Sequence, residues 1–494
     1  MFFVSSRDIR VLKLCMSNVY TSRYSYIRQF YKTELIMILG NVLKGFNPTK
    51  HLFKATKSYI SHAGVVTVTK LSNGLRVATE ETGGPLACLR LFIQVGSRYE
   101  NSDSNGICHF IEHMAYKGFN SMNKQNLEHT LSDLGIKMDA ITTREYQVFS
   151  GICPSECSNE VVDILSKILT DLELSEQEMA CERQNIETEL LDLDIDPKTV
   201  MFEYLKETAF QGTTLSRRVA GPTRNLKRFN RACAYHFLQK NYTPLRIVLA
   251  SSGGVTHQSI MARAGQSFGN LPCDNEPLDH GPCRFTGSQT LYRDDSMPFA
   301  HVSLAFEVAG YTSSDYLPLL VAKHIIGSWH RSQGGSERHA PYQAQASSSV
   351  SCESYECFYI PYRDVGLWGT YIVCPRMSVE DCVHLAQGTW MHLCTTTTDA
   401  DVQRAVNAVK LELAKREDGV INSSFDIGMQ VLFKNERESL SAVFEQLSAL
   451  TASTVKNVAY NYIYNKTTAV SAVGPTEGLP DYNRLQAGSY WLRI

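Results

Sequence analysis

Two histidines four residues apart, with a glutamate beside the second, are the part of this sequence best suited to chemistry. The run Cys108-His109-Phe110-Ile111-Glu112-His113 has the pattern H-x-x-E-H. On an α-helix that spacing brings both imidazoles onto one face. Two such nitrogens suit one tetrahedral zinc ion. Glu112 lies three residues from His109, near the same face. A carboxylate there can hold a water at the metal and take its proton. A catalytic zinc needs a third protein ligand and an open fourth position. Candidates for the third ligand stand on the helix that the capping box Ser175-Glu176-Gln177-Glu178 opens. Glu182 and Glu189 are seven residues apart there, nearly two turns, and share a face. One can ligate while the other orients a ligand from outside. Their spacing leaves open which does which. Without the histidines, both would read as a solvated face, because Glu176, Glu178 and Glu187 surround them.

The elements that must position these groups are readable from pattern. Residues 65–70 alternate like a strand, 71–74 form a turn, and a second strand follows over 75–79. Residues 89–95 are another β-rich run. Asn105 opens the histidine helix, with Ile107, Phe110, Ile111 and Met114 on its apolar side, and the helix ends before Gly118. Further helices are predicted over 125–134, 161–172, 176–192 and 198–209. One or two strands span 136–150 around Thr142-Thr143-Arg144-Glu145, and an apolar strand covers 246–251. Strands and helices mix without a βαβ rhythm, which predicts an α+β fold.

Residues 271–295 are rich in Gly, Pro, Asp and Asn and are expected to link two halves. The second half echoes the first. Leu91-Phe92-Ile93-Gln94-Val95-Gly96 returns as Leu304-Ala305-Phe306-Glu307-Val308-Ala309-Gly310 at an offset of 213 to 214 residues. Each copy follows a proline turn (Pro85, Pro298) and precedes an apolar helix. The second copy's helix, over 317–327, carries Lys323 and His324 but no H-x-x-E-H. His324 is expected to be a packing or surface histidine.

Composition bounds the alternatives. The 494 residues are 43% hydrophobic and 20% charged, which excludes a disordered chain, collagen and a coiled-coil rod. A net charge of −2 gives no basic footprint, so no nucleic acid partner is expected. No apolar run approaches the roughly 20 residues of a spanning helix. The 14 cysteines are scattered, without a C-x-x-C pair, and read as reduced, mostly buried thiols. The charge is uneven: residues 1–57 carry +8 and the remainder −10. The first segment is basic, hydroxylated and poor in acid, in the style of a mitochondrial import leader.

From about residue 65 to the end, the sequence resembles the pitrilysin-type inverzincin metallopeptidase family. The likeness is to its branch of mitochondrial processing peptidases and respiratory complex III core proteins. His109 to Gly118 resembles the family's zinc helix, Asp139 to Glu145 its active-site edge strand, and Glu182 to Glu189 its second-helix signature. Gly221-Pro222-Thr223-Arg224-Asn225 and residues 246–250 resemble later landmarks. The ending, Leu479 to Arg484 with Tyr490 to Arg493, looks most like the core proteins.

The resemblance implies two homologous domains, each a mostly antiparallel sheet packed with helices, enclosing a chamber. It divides the chain into a leader (1–57), a zinc-binding peptidase domain (58–270), a linker (271–295) and an inactive repeat (296–494). It implies a zinc cofactor held by His109, His113 and Glu189, with Glu112 as general base and Glu182 supporting the site. Substrate would lie along the edge strand at Asp139 and Ala140, with Glu203 receiving a leader's arginine. Two positions depart from the family: Asp139 stands for Asn, and Thr199 for an acid. The implied activity is zinc metalloendopeptidase removal of basic leader peptides, by a β-type subunit. The alternative is a structural core protein 1 role in complex III of the inner membrane. The implied partner is an α-type processing peptidase subunit or core protein 2. The implied location is the mitochondrion, in the matrix or on the matrix face of the inner membrane.

Overall fold

The computed structural model describes residues 65–272, 281, 283–333 and 351–490. The leader expected over 1–57 and the last residues of the C-terminal ending lie outside the described residues. Two six-stranded sheets organise the chain. The first contains β1 (Val66–Lys70), β2 (Arg76–Glu81), β3 (Leu86–Ile93), β4 (Lys137–Thr142), β5 (Gln147–Pro154) and β6 (Ile247–Gly253). The second contains β7 (Gln289–Arg293), β8 (Ala300–Ala309), β9 (Ser328–His330), β10 (Ser354–Pro361), β11 (Val365–Cys374) and β12 (Ala469–Gly474). The helices used below are α1 (Ile107–Met114), α2 (Ser158–Thr170), α3 (Glu176–Leu193), α4 (Pro197–Ala209), α5 (Tyr316–Ile326), α6 (Asp399–Arg416) and α7 (Gly419–Lys434).

The spatial order is β1-β2-β6-β3-β5-β4 in the first sheet and β9-β10-β11-β8-β12-β7 in the second. In the first, β2 runs parallel to β6, and the pairs β6-β3, β3-β5 and β5-β4 are antiparallel. In the second, β7 runs parallel to β12, and β12-β8, β8-β11 and β11-β10 are antiparallel. The five-strand pattern is therefore repeated, with the echoed segments β3 and β8 in the same place. β7 falls inside the stretch expected to be linker. Its exposed, non-periodic side chains hide it from pattern reading, because backbone pairing to β12, not burial, makes it a strand.

Each sheet buries one face on its own helices. In the first, Leu89, Leu91, Ile93 and Phe149 pack with Phe110 and Ile111 of α1 and Val161 and Leu165 of α2. The other face is covered by a helix from the opposite half. Ile427, Val431, Leu432 and Phe433 of α7 lie on Ala78, Phe92, Val148 and Val248 of the first sheet. In return Met201, Leu205 and Ala209 of α4 lie on Ala305, Leu367, Ala469 and Val473 of the second. The α7 contact demands glycine at one point: a Cβ on Gly428 would stand 2.0 Å from the Phe92 ring. This exchange of helices joins the halves through apolar burial. The described cysteines are free, and most are buried.

Candidate metal centre

The histidine helix is set by what holds its N-terminus. It starts at Ile107, two residues after Asn105, because Gly106 takes a left-handed φ of 99°. Buried Glu100 then supplies the cap. Its carboxylate accepts from the backbone N–H of Gly106 and Cys108 and from Asn105 Nδ2, each at 2.8 Å. That satisfies donors a helix start leaves open. Burial raises the Glu100 carboxyl above its ordinary value, against the pull of these donors. The loop from Gly221 presses on the same turn. A Cβ on Gly221 would meet Asn105 O at 2.3 Å, and Asn225 Nδ2 donates to Ser102 O and Asn105 O. The Gly221–Asn225 landmark thus holds the base of α1 in place.

On the next turn, His109 and His113 face α3. His113 Nε2 lies 3.1 Å from Glu189 Oε2, and His109 Nε2 lies 3.4 Å from Glu189 Oε1. One donor atom from each of His109, His113 and Glu189 falls within 4.8 Å of the other two. Among the described residues no other cluster of His, Cys, Asp and Glu meets that spacing. The geometry separates the two glutamates. Glu189 faces both imidazoles, whereas Glu182 sits behind His113, with its Oε2 at 3.2 Å from Nδ1. Lys117 Nζ at 2.6 Å and Asn185 Nδ2 at 3.1 Å also hold Glu182, which is only 3% exposed. Burial works to raise the Glu182 carboxyl, but the Lys117, Asn185 and His113 donors hold it below its usual range. The hydrogen bond from His109 likewise lowers Glu189.

Two imidazole nitrogens and a carboxylate converging on one point form a donor set that zinc accepts. One orphaned atom supports that fit: buried Glu112 Oε2 has no hydrogen-bond partner. A buried, unsatisfied carboxylate oxygen is costly unless a ligand or reactant uses it.

A cleft of about 300 Å3 opens over this cluster, and His109, Glu112, Glu189, Ala140, Thr142 and Glu203 are among its walls. β4 is the edge strand beside it, paired on one side only, to β5. Asp139 is not in the cleft wall, and its carbonyl accepts Tyr116 Oη at 3.1 Å. Glu203 lies in the wall but is already engaged. Arg144 grips its two oxygens at 3.2 and 2.6 Å, and Lys206 adds a contact at 3.0 Å. Burial works against the charge, yet Arg144 and Lys206 pull the Glu203 carboxyl down to about 2.

Several supporting residues escaped sequence reasoning. Lys117 was findable, since it is only four residues beyond His113. Glu100 and the Arg98–Glu145–Asp364 group were not. Arg98 binds Glu145 and grips Asp364 at 2.7 Å through both terminal nitrogens, and Arg363 N donates to Glu145 Oε2 at 2.8 Å. This cluster ties the turn after β4 to the β10–β11 hairpin of the other half. In the second half, His324 on α5 meets Glu412 on α6 at 2.6 Å. The pair lies on the helices equivalent to α1 and α3.

Residues 76–223 match the family described as Insulinase (Peptidase family M16), and residues 228–409 match Peptidase M16 inactive domain. The chain is 38% identical to human mitochondrial-processing peptidase subunit beta over 429 residues, covering 86% of this chain and 88% of that one. It is 36% identical to human cytochrome b-c1 complex subunit 1, mitochondrial, over 431 residues, covering 86% and 90%. A chain in the structure of complex III2 from Candida albicans, Inz-5 bound, aligns with a TM-score of 0.77 at 25% identity. That alignment covers 86% of this chain and all of the other. With a repeated sheet architecture and a His-His-Glu cluster on its first half, the chain belongs to the M16 peptidase family.

Proposed function

We propose that this chain is a zinc metalloendopeptidase, the catalytic β-type subunit that removes N-terminal leaders from imported mitochondrial precursors. The observation that carries this reading is the convergence of His109, His113 and Glu189 beside the unpartnered buried oxygen of Glu112. His109 and His113 would hold zinc through Nε2, and Glu189 through its carboxylate. When bound, zinc supplies Lewis-acid polarisation of a peptide carbonyl and lowers the pKa of a water. Glu112 is placed to take the proton of the attacking water and to return it to the leaving amine. Glu182 keeps the His113 proton on Nδ1, so that the Nε2 lone pair points at the cluster. The free edge of β4 takes an extended substrate by backbone pairing, which suits a peptide. The partner is an α-type processing peptidase subunit, and the location is the mitochondrial matrix. Similarity to mitochondrial-processing peptidase subunit beta over most of both chains supports both assignments.

The test is zinc content and cleavage of an arginine-bearing leader peptide, with and without an α-type partner. Stoichiometric zinc, and cleavage that Glu112→Gln abolishes, are expected. A metal-free protein that cleaves nothing in either setting would refute the reading. A second reading is a structural subunit of respiratory complex III. The 36% identity to cytochrome b-c1 complex subunit 1 favours it. Under that reading the chain co-migrates with complex III on native gels, and Glu112→Gln leaves its assembly and electron transfer unchanged.

A further inference from the structure

The turn end of the β1–β2 hairpin carries Lys70 and Arg76, and among the described residues no carboxylate pairs with either. Lys70 on β1 is the register partner of Arg76 on β2. Like charges directly opposite on a ladder are destabilising. The β10–β11 hairpin of the other half brings Arg363 to the same place. These residues, with Thr69, Gln94 and Asn435, line a pocket of about 590 Å3 whose wall contains no Asp or Glu. None of its residues lines the metal cleft.

The acceptors Arg76 does reach are neutral: Val431 O at 2.9 Å, Asn435 Oδ1 at 2.7 Å and Leu245 O at 3.3 Å. Among the described residues neither Lys70 nor Arg76 has a carboxylate within ion-pair distance. Burial, and then the charge of Arg363, pull Arg76 down to about 10. Gln94, only 4% exposed, adds a buried amide to the same wall.

We infer that this pocket binds a phosphate group, either inorganic phosphate or the headgroup of an anionic phospholipid. The motivating geometry is three cations around one pocket whose wall holds no acid. A tetrahedral oxyanion offers enough acceptor oxygens for donors arriving from several elements, and charge-assisted bonds to it are the strong kind. A bound dianion also removes the Lys70–Arg76 repulsion. The basic segment over 1–57 has the wrong sign to fill the pocket.

The test uses the full chain. Inorganic phosphate is titrated by calorimetry at constant ionic strength. Co-sedimentation is measured with phosphatidylcholine vesicles with and without phosphatidylglycerol. Lys70→Glu is compared with wild type and with a control reversal at exposed Lys240, Lys240→Glu. Saturable phosphate binding is expected, weakened roughly tenfold or more by Lys70→Glu and unchanged by Lys240→Glu. Without phosphate, Lys70→Glu should raise the Tm, since it places opposite charges across the ladder. If phosphatidylglycerol vesicles bind with the same dependence on Lys70 and phosphate competes, the source is a lipid headgroup. If they do not bind, it is free phosphate. Absence of both kinds of binding, or equal weakening by the two reversals, would overturn the inference.

Discussion

Replacing Glu182 by glutamine tests the metal centre where its logic is least visible in the sequence. The carboxylate accepts from His113 Nδ1 at 3.2 Å, Lys117 Nζ at 2.6 Å and Asn185 Nδ2 at 3.1 Å. Glutamine keeps the shape and one acceptor oxygen but loses the charge. Lys117 and His113 then compete for that oxygen, and the preference for a proton on Nδ1 of His113 weakens. Losing such an outer partner costs about 10–100-fold in metal affinity, or roughly 1.4–2.7 kcal/mol. The Lys117 contact is charge-assisted and nearly buried, so a stability loss of about 1.5–3 kcal/mol accompanies it. The assay is zinc competition against a chelator of known affinity, with Glu189→Gln in parallel. An affinity within twofold of wild type would refute the orienting role. A loss as complete as that of Glu189→Gln would place Glu182 among the metal's own ligands.

Glu112→Gln should retain zinc and lose roughly 10²–10⁴-fold in peptide cleavage; loss of zinc measured by atomic absorption would move Glu112 into the ligand set. Gly428→Ala sets a methyl 2.0 Å from the Phe92 ring, an overpacking that costs about 1–3 kcal/mol. Its Tm should fall, and Phe92→Leu should restore part of the loss; an unchanged Tm would mean that α7 is free to shift. Glu203 has its carboxyl held at about 2 against an ordinary 4.5. A depressed carboxyl stabilises the fold above its unfolded pKa and loses that effect as pH falls through the folded one. In chelator, Glu203→Gln should therefore be less stable than wild type at neutral pH by roughly 3 kcal/mol, with the gap closing from pH 4.5 toward 2. A gap constant with pH would show that the Arg144 and Lys206 pairing is not its cause.

Much of the centre was legible because it is local. The spacing of His109, Glu112 and His113 acts through one helical turn, and Ser175 caps α3 as its sequence indicates, its Oγ accepting from Glu178 N at 3.2 Å. The echo of β3 in β8 was readable for the same reason: both are apolar strands, buried along most of their length, before an apolar helix. The strand β7 was not, since it lacks a buried face. The carboxylates already spent on partners were not legible either. The sequence marks Glu203 as an acid near the cleft, but only the fold shows Arg144 and Lys206 occupying it.

The sequence by itself determined the ligand types, their helical spacing, the α+β character and the split of charge, because each follows from side-chain chemistry over a few residues. Only the tertiary structure decided which glutamate faces both histidines, since that depends on the rotation of α3 against α1 across about seventy residues of chain. It alone revealed the exchange of α4 and α7 between sheets and the meeting of Lys70, Arg76 and Arg363. Those contacts join segments hundreds of residues apart, and no local periodicity carries a record of them.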